Sequence, residues 1–127
     1  MPTVEVGGTG SNTFASARAL ITNRIDLASE VNPNPVQSPA LQVTGKPKQR
    51  LWVLSPVNGT VVKIQYSVTQ EGGTPEWRDL TGVTVLAANV PAIIEADFPC
   101  TFTRAFVQAP VSTAVSNLEY ALAAYAG

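Results

Sequence analysis

The chain has 127 residues, enough for one ordinary domain and too few for two, with a net charge of −1 and only 13% charged residues, about half the usual ~25%. It has no histidine, which excludes histidine triads, imidazole acid–base work and the usual zinc sites, and its one cysteine, Cys100, excludes an internal disulfide or a cysteine cluster. The charge gives no field for capturing nucleic acid, and no apolar run is long enough for a membrane-spanning helix.

Threonine (13 residues), serine (8) and asparagine (7) supply much of the polarity. Many Thr, Val and Pro with little Lys or Glu is a β-sheet composition. Residues 1–18 read as a flexible arm: Gly7-Gly8-Thr9-Gly10-Ser11-Asn12 has no core face and lacks the setting of a phosphate loop. The start, Met1-Pro2-Thr3-Val4-Glu5-Val6, has neither the basic opening nor the apolar stretch of a signal peptide, so synthesis and use without export is the expectation. Residues 19–127 form the expected β-sandwich domain.

Within 14–31, Phe14, Ala17, Ile21, Ile25 and Ala28 fit a helical stripe. Ala19, Ile21, Ile25 and Leu27 opposite Leu20, Thr22, Arg24 and Asp26 fit a strand, which is the preferred reading. Three prolines over 32–39 predict an irregular surface crossover. Leu41 and Val43 alternate with Gln42 and Thr44 before a turn at Gly45-Lys46-Pro47. Leu51–Leu54 reads as a short apolar strand, and Lys46, Lys48 and Arg50 before it read as charges guarding a sheet edge. Asn58-Gly59 predicts a tight hairpin in which both residues take φ > 0. It also opens a glycosylation sequon, which the turn explains without export.

Thr60–Thr69 follows, with Val62, Ile64, Tyr66 and Val68 on one face. Gln70–Pro75 turns the chain, and Trp77 and Leu80 are placed in a short return strand. Val83–Leu86, Ala92–Phe98 and Phe102–Ala109 are three further strands. Asn117–Ala126 has helix-favouring alanines, but Leu118, Tyr120, Leu122 and Ala124 alternate with their neighbours, so it is read as a strand. Seven to nine short strands predict an all-β antiparallel sandwich or jelly roll.

The candidate chemistry is sparse. Glu95 and Asp97 share a strand face and could hold calcium or act as an acid–base pair, but a solvated outer face accounts for them. Cys100 reads as a buried, inert thiol. Most of the nine aromatic residues read as core, with Trp77 the best candidate for an exposed ring. No residue is assigned a catalytic, cofactor-binding or metal-binding role, and no cofactor is expected.

Ile64-Gln65-Tyr66-Ser67, the Gly72-Gly73 turn and Trp77-Arg78-Asp79-Leu80 resemble a hairpin of small β-sandwiches, as in galactose-binding-like modules and structural proteins of tailed-phage virions. Thr103–Ala109 is similar to a later strand of those folds, with Ala105 and Gln108 where an aromatic residue and a second arginine are often found. The whole chain resembles a phage head decoration (cement) protein. The resemblance implies a non-enzymatic virion protein, assembled in the host cytoplasm. Its partner would be the major capsid protein or another virion protein, and it would be a homo-oligomer without nucleic acid or membrane. A carbohydrate-binding module is the alternative.

Overall fold

A computed structural model describes residues 18–126, so all of the expected arm except Arg18 lies outside the described residues. Among the described residues there is no helix, and every strand pairing is antiparallel. The strands are β1 (Ala19–Leu27), β2 (Val36–Gln37), β3 (Leu41–Gln42), β4 (Lys48–Leu54) and β5 (Val61–Ser67), then β6 (Arg78–Asp79), β7 (Thr84–Val85), β8 (Ala92–Asp97), β9 (Phe102–Gln108) and β10 (Val115–Tyr125).

Sheet I runs in the order β1-β10-β4-β8. Sheet II runs β2-β9-β5-β6, with β3 also on β9 and β7 also on β5. Because β2 and β3 are two pieces along one edge, and β6 and β7 two along the other, the path amounts to eight strands. Their orders are 1-8-3-6 and 2-7-4-5, the double-sheet arrangement of a jelly roll. The composition and alternation therefore led to the right fold class.

Alternation explains the core. Leu51 and Val53 of β4, Leu118, Tyr120, Leu122 and Ala124 of β10, Val62 and Ile64 of β5, and Ala105 and Val107 of β9 are all buried between the sheets. At ~25 cal/mol per Å² of apolar surface removed from water, this layer is the main force holding the sheets together. The segments at 19–27 and 115–125, ambiguous between helix and strand, are both strands and pair with each other from Ala19↔Ala124 to Leu27↔Val115.

Several expectations need correction. The crossover over 32–39 contains β2: Val36 and Gln37, which stand between Pro35 and Pro39 and keep their own N–H groups, pair with Val107 and Phe106. The short strand at 51–54 extends back to Lys48. It is an interior strand, so Lys48 and Arg50 guard no edge and instead lie in register with Asp97 and Glu95 of β8. Asn58-Gly59 does not join paired strands, because β4 and β5 belong to different sheets. Gly59 has φ +90°, whereas Asn58 is not among the left-handed residues, so the mirror-image hairpin turn is absent. Trp77 and Leu80 flank the return strand rather than lying in it. Of the described aromatic residues only Tyr120 is buried; Tyr66 shares the inner face of Val62 and Ile64 and packs on Phe98 at the rim of a mainly aliphatic core (ring centroids 4.9 Å apart), while Trp52, Trp77 and Phe106 lie on the outer faces.

Candidate interaction surfaces

Three surfaces follow from this topology. The first is the pole where the loops 28–35, 55–60, 86–91 and 109–114 meet, each joining a strand of one sheet to a strand of the other. These loops contain one ionisable side chain, Glu30. Val31, Val90 and Val111 are 70%, 55% and 64% exposed, and Val85 at the adjoining end of β7 is also exposed.

The loops are tied to one another by main-chain hydrogen bonds. Ser112 N donates to Glu30 O (2.6 Å), Asn89 N to Ser55 O (2.7 Å) and Gly59 N to Leu86 O (2.9 Å). Ala88 N donates to Asn58 Oδ1 (2.7 Å), and the Gln108 amide to Pro33 O. Gly59, Asn89 and Ser112 occupy the left-handed region, with φ of +90°, +59° and +58°. Strained non-glycine backbone persists only where its surroundings hold it. The valines are thus held in place, so little entropy remains to be lost when a partner covers them.

The sequon falls in this pole. Thr60 is buried with its hydroxyl against Ser55 Oγ (3.0 Å), and the Asn58 carbonyl already accepts from Ala88, so local structure accounts for the motif.

The second surface is the outer face of sheet II. The Lys63 ammonium lies 4.3 Å from the Phe106 ring centroid, and the Arg104 guanidinium 4.2 Å from that of Trp77. Between them, Lys63 Nζ donates to Asp79 Oδ2 (2.9 Å), Gln65 Nε2 to Asp79 Oδ1 (3.0 Å), and Arg104 Nε to Gln65 Oε1 (2.9 Å). These bonds, Gln65 first and Lys63 second, hold the Asp79 carboxyl below the usual carboxylate range. Burial draws the Arg104 guanidinium below its ordinary value. Trp77 is half-buried, and one partner of its ring is already the guanidinium.

The third surface is the outer face of sheet I. Arg50 pairs with Glu95 (2.7 Å), Lys48 with Asp97 (3.5 Å) and Arg24 with Glu119 (4.0 Å), each across adjacent strands. Glu95 and Asp97 do share this outer face, and their partners are cations. Among the described residues no group of three metal-ligating side chains forms. Between the charges, β10 places the partly exposed Ala121 and the buried Ala123 on this side, flanked by Leu20 on one side and Trp52 and Ile93 on the other. Lys48, Arg50, Glu95, Asp97 and Tyr125 border an open depression at one end of this face.

Cys100 is half-buried, and burial raises its thiol pKa against the opposing hydrogen bond from Gln49 Nε2 (3.3 Å). A thiol held protonated is a poor nucleophile, in keeping with an inert role. The four loops of the valine pole were not singled out from the sequence. The available signal was a valine set among Pro, Asn, Ser and Ala, recurring at 31, 57, 90 and 111 without nearby charge beyond Glu30.

No protein-family model matches the chain, and no curated protein matches it. Similar solved structures include one from Bacillus endospore appendages, a family of disulfide-linked pili, at 13% identity and a TM-score of 0.48, covering 86% of this chain and 88% of that one. Structures of infectious bursal disease virus also match. The Gx strain has 9% identity and a TM-score of 0.49, and the Gt strain 13% and 0.45; each match covers 87% of this chain. The chain spans about a third of the length of those viral chains, covering 34% and 32% of them. At identities and TM-scores this low, function has to be argued from the chain's own surfaces.

Proposed function

We propose that this protein is a non-enzymatic structural component of a virion, of the capsid decoration (cement) type. In this reading it attaches through the valine pole to the major capsid protein or another virion protein, and it acts as a homo-oligomer. The observation carrying the reading is the rigid, nearly uncharged pole. An exposed apolar patch held in one shape is suited to a protein surface of similar character. The lack of cations there argues against phosphate backbones and acidic lipids as partners. A modest patch gains strength when symmetry repeats it over a lattice.

The fold alone does not choose this role, since jelly rolls serve capsids, lectins and cupins alike. The carbohydrate-binding alternative needs an open ring platform, and the best ring, Trp77, is already engaged by Arg104.

The test is add-back to purified capsids stripped of the protein, read by co-sedimentation. Wild type should bind saturably. The Val31→Asp, Val90→Asp, Val111→Asp triple variant should fold normally and bind at least about tenfold more weakly, since burying one valine is worth about 1.5 kcal/mol or more. Equal binding by the triple variant, or glycan binding without capsid binding, would reject the reading.

A further inference from the structure

We infer that the outer face of sheet I is a self-association face, on which a second copy of this chain stacks about a two-fold axis parallel to the strands and passing between β10 and β4. The inference deepens the homo-oligomer reading above by naming the surface and its symmetry.

The argument starts from register. Across the face, one row reads Thr22, Ala121, Trp52, Ile93, and the next Leu20, Ala123, Arg50, Glu95. On β10 and β4 the row beyond holds Tyr125 and Lys48. An isologous contact must be complementary to itself. The proposed axis exchanges β10 with β4 and β1 with β8, row by row. Trp52 then lies over Ala121 of the second copy, Arg50 over its Ala123, and Lys48 over its Tyr125 ring. Trp52 meets the small, partly exposed Ala121; Arg50 lies over Ala123, which is itself buried, and Lys48 meets the rim of a ring that Arg18 and Arg50 already flank (each 5.9 Å from its centroid).

The charges near the axis are neutralised within each copy: Lys48 and Arg50 adjoin their own symmetry mates there, and each is paired with Asp97 or Glu95 of its own chain. The cations of β4 face β10 of the second copy, and the carboxylates of β8 face its β1 side. Asp97 approaches Arg18, which sits beside Tyr125 (5.9 Å from the ring centroid). No carboxylate is set against a carboxylate. An axis perpendicular to the strands would place Ala123 over Ala121, small residue over small residue, and Lys48 over Leu54. Aligned stacking is also a normal geometry for twisted sheets, ~10 Å apart.

Four strands ~4.8 Å apart by four rows ~7 Å apart give roughly 500 Å² per copy. That is below the ~800 Å² per partner of a standard stable interface, so the dimer should be reversible at roughly tens to hundreds of micromolar.

The experiment is sedimentation velocity on the full chain from about 5 µM to 1 mM, with Trp52 fluorescence followed in a Trp77→Phe background. The expected result is a concentration-dependent dimer, with Trp52 emission moving to shorter wavelength as it forms. Ala121→Arg should raise the dissociation constant tenfold or more without moving the melting midpoint. Should Ala121→Arg fail to fold, Ile93→Lys, at a position 60% exposed, carries the same test. A monomer up to 1 mM, a dimer indifferent to the variants that fold, or Trp52 emission independent of concentration would overturn the inference. The valine-pole triple variant should dimerise as wild type does, and its failure to do so would move the contact to the pole and overturn it too. Intact dimerisation without capsid attachment would sink the proposed function alone.

Discussion

The outer faces of the two sheets handle the same residue types in opposite ways. On sheet II, Lys63 and Arg104 are each set against a ring and joined through Gln65 and Asp79, and the Lys63 side chain is only 16% exposed. On sheet I, the charged partners lie in register on adjacent strands with side chains roughly half exposed, the one ring beside cations, Tyr125, is more distant (5.9 Å from Arg18 and Arg50), and the neighbouring strand carries only the small side chains of Ala121 and Ala123. The difference teaches that alternation gives a sheet an outer face but not a use for it. Where rings cover cations, the face closes on itself and adds stability. Where exposed ion pairs flank small residues, it adds little stability and remains open to a partner.

The most severe way to break this contrast is to remove what both faces depend on. Leu51 lies on the inner side of β4, between Arg50 and Trp52 of the open face, and is fully buried. Leu51→Ala is expected to cost about 2–5 kcal/mol in denaturant melts, and a loss under 1 kcal/mol would mean the two faces do not share one core. Trp77→Ala tests the closed face. It uncovers Arg104 and should cost about 1–3 kcal/mol, the scale of burial and cation–π losses at a half-buried site.

Gly59→Val tests the pole that joins the sheets. Gly59 has φ +90°, and a Cβ there would lie 3.4 Å from the Pro110 side chain, so about 1–2 kcal/mol should be lost. Against these, Arg50→Ala on the open face should change stability by less than about 1 kcal/mol, because the pair is exposed and screened.

The smallest effect is on pH dependence. Asp79 has its folded pKa depressed by Gln65 and Lys63, so its contribution is present above the ordinary carboxylate pKa of about 4 and is lost as pH falls through the lower folded value. Acid melts of Asp79→Asn should therefore differ slightly from wild type above about pH 4 and begin to converge on it as pH falls below that value, meeting it only once pH is under the depressed folded pKa. Tyr120 gives the opposite limb. Burial raises its phenol, so stability present below about pH 10 should fall as pH rises beyond it.

These contrasts also mark how far the sequence could be read. The strands at 19–27 and 115–125 were legible because Ile25 and Leu27, and Leu118 through Ala124, alternate with their neighbours, and a two-residue period survives without knowledge of the partner. Lys48 and Arg50 were misread as edge guards because an edge is defined by what pairs across it, here β8 from 45 or so residues away. Asn58-Gly59 was misread for a related reason. Turn chemistry reports local backbone, and only the tertiary fold decides whether the flanking strands pair or part into two sheets. Tyr120 and Tyr66 do face inward, but Trp52 and Phe106 face outward, because size and polarity alternation identify two faces without saying which is solvent-side. The valine pole is assembled from four loops distant in sequence, and no local pattern announces that they meet.

The position of β10 has a consequence for how the protein is made. Among the described residues this last strand lies between β1, the first of them, and β4, and it supplies the two pairings that tie β1 to the rest of sheet I. A ribosome releasing the chain from its N-terminus can let β5 and its neighbours associate early. The opening strand β1 must wait, with its apolar face uncovered, until the final segment emerges. Such dependence on distant partners favours folding in milliseconds to seconds rather than microseconds. It also exposes the nascent chain to chaperones and misassociation during that interval. Stalled chains lacking residues 115–125 should be sensitive to protease along 19–27, and that sensitivity should vanish when the last strand is released.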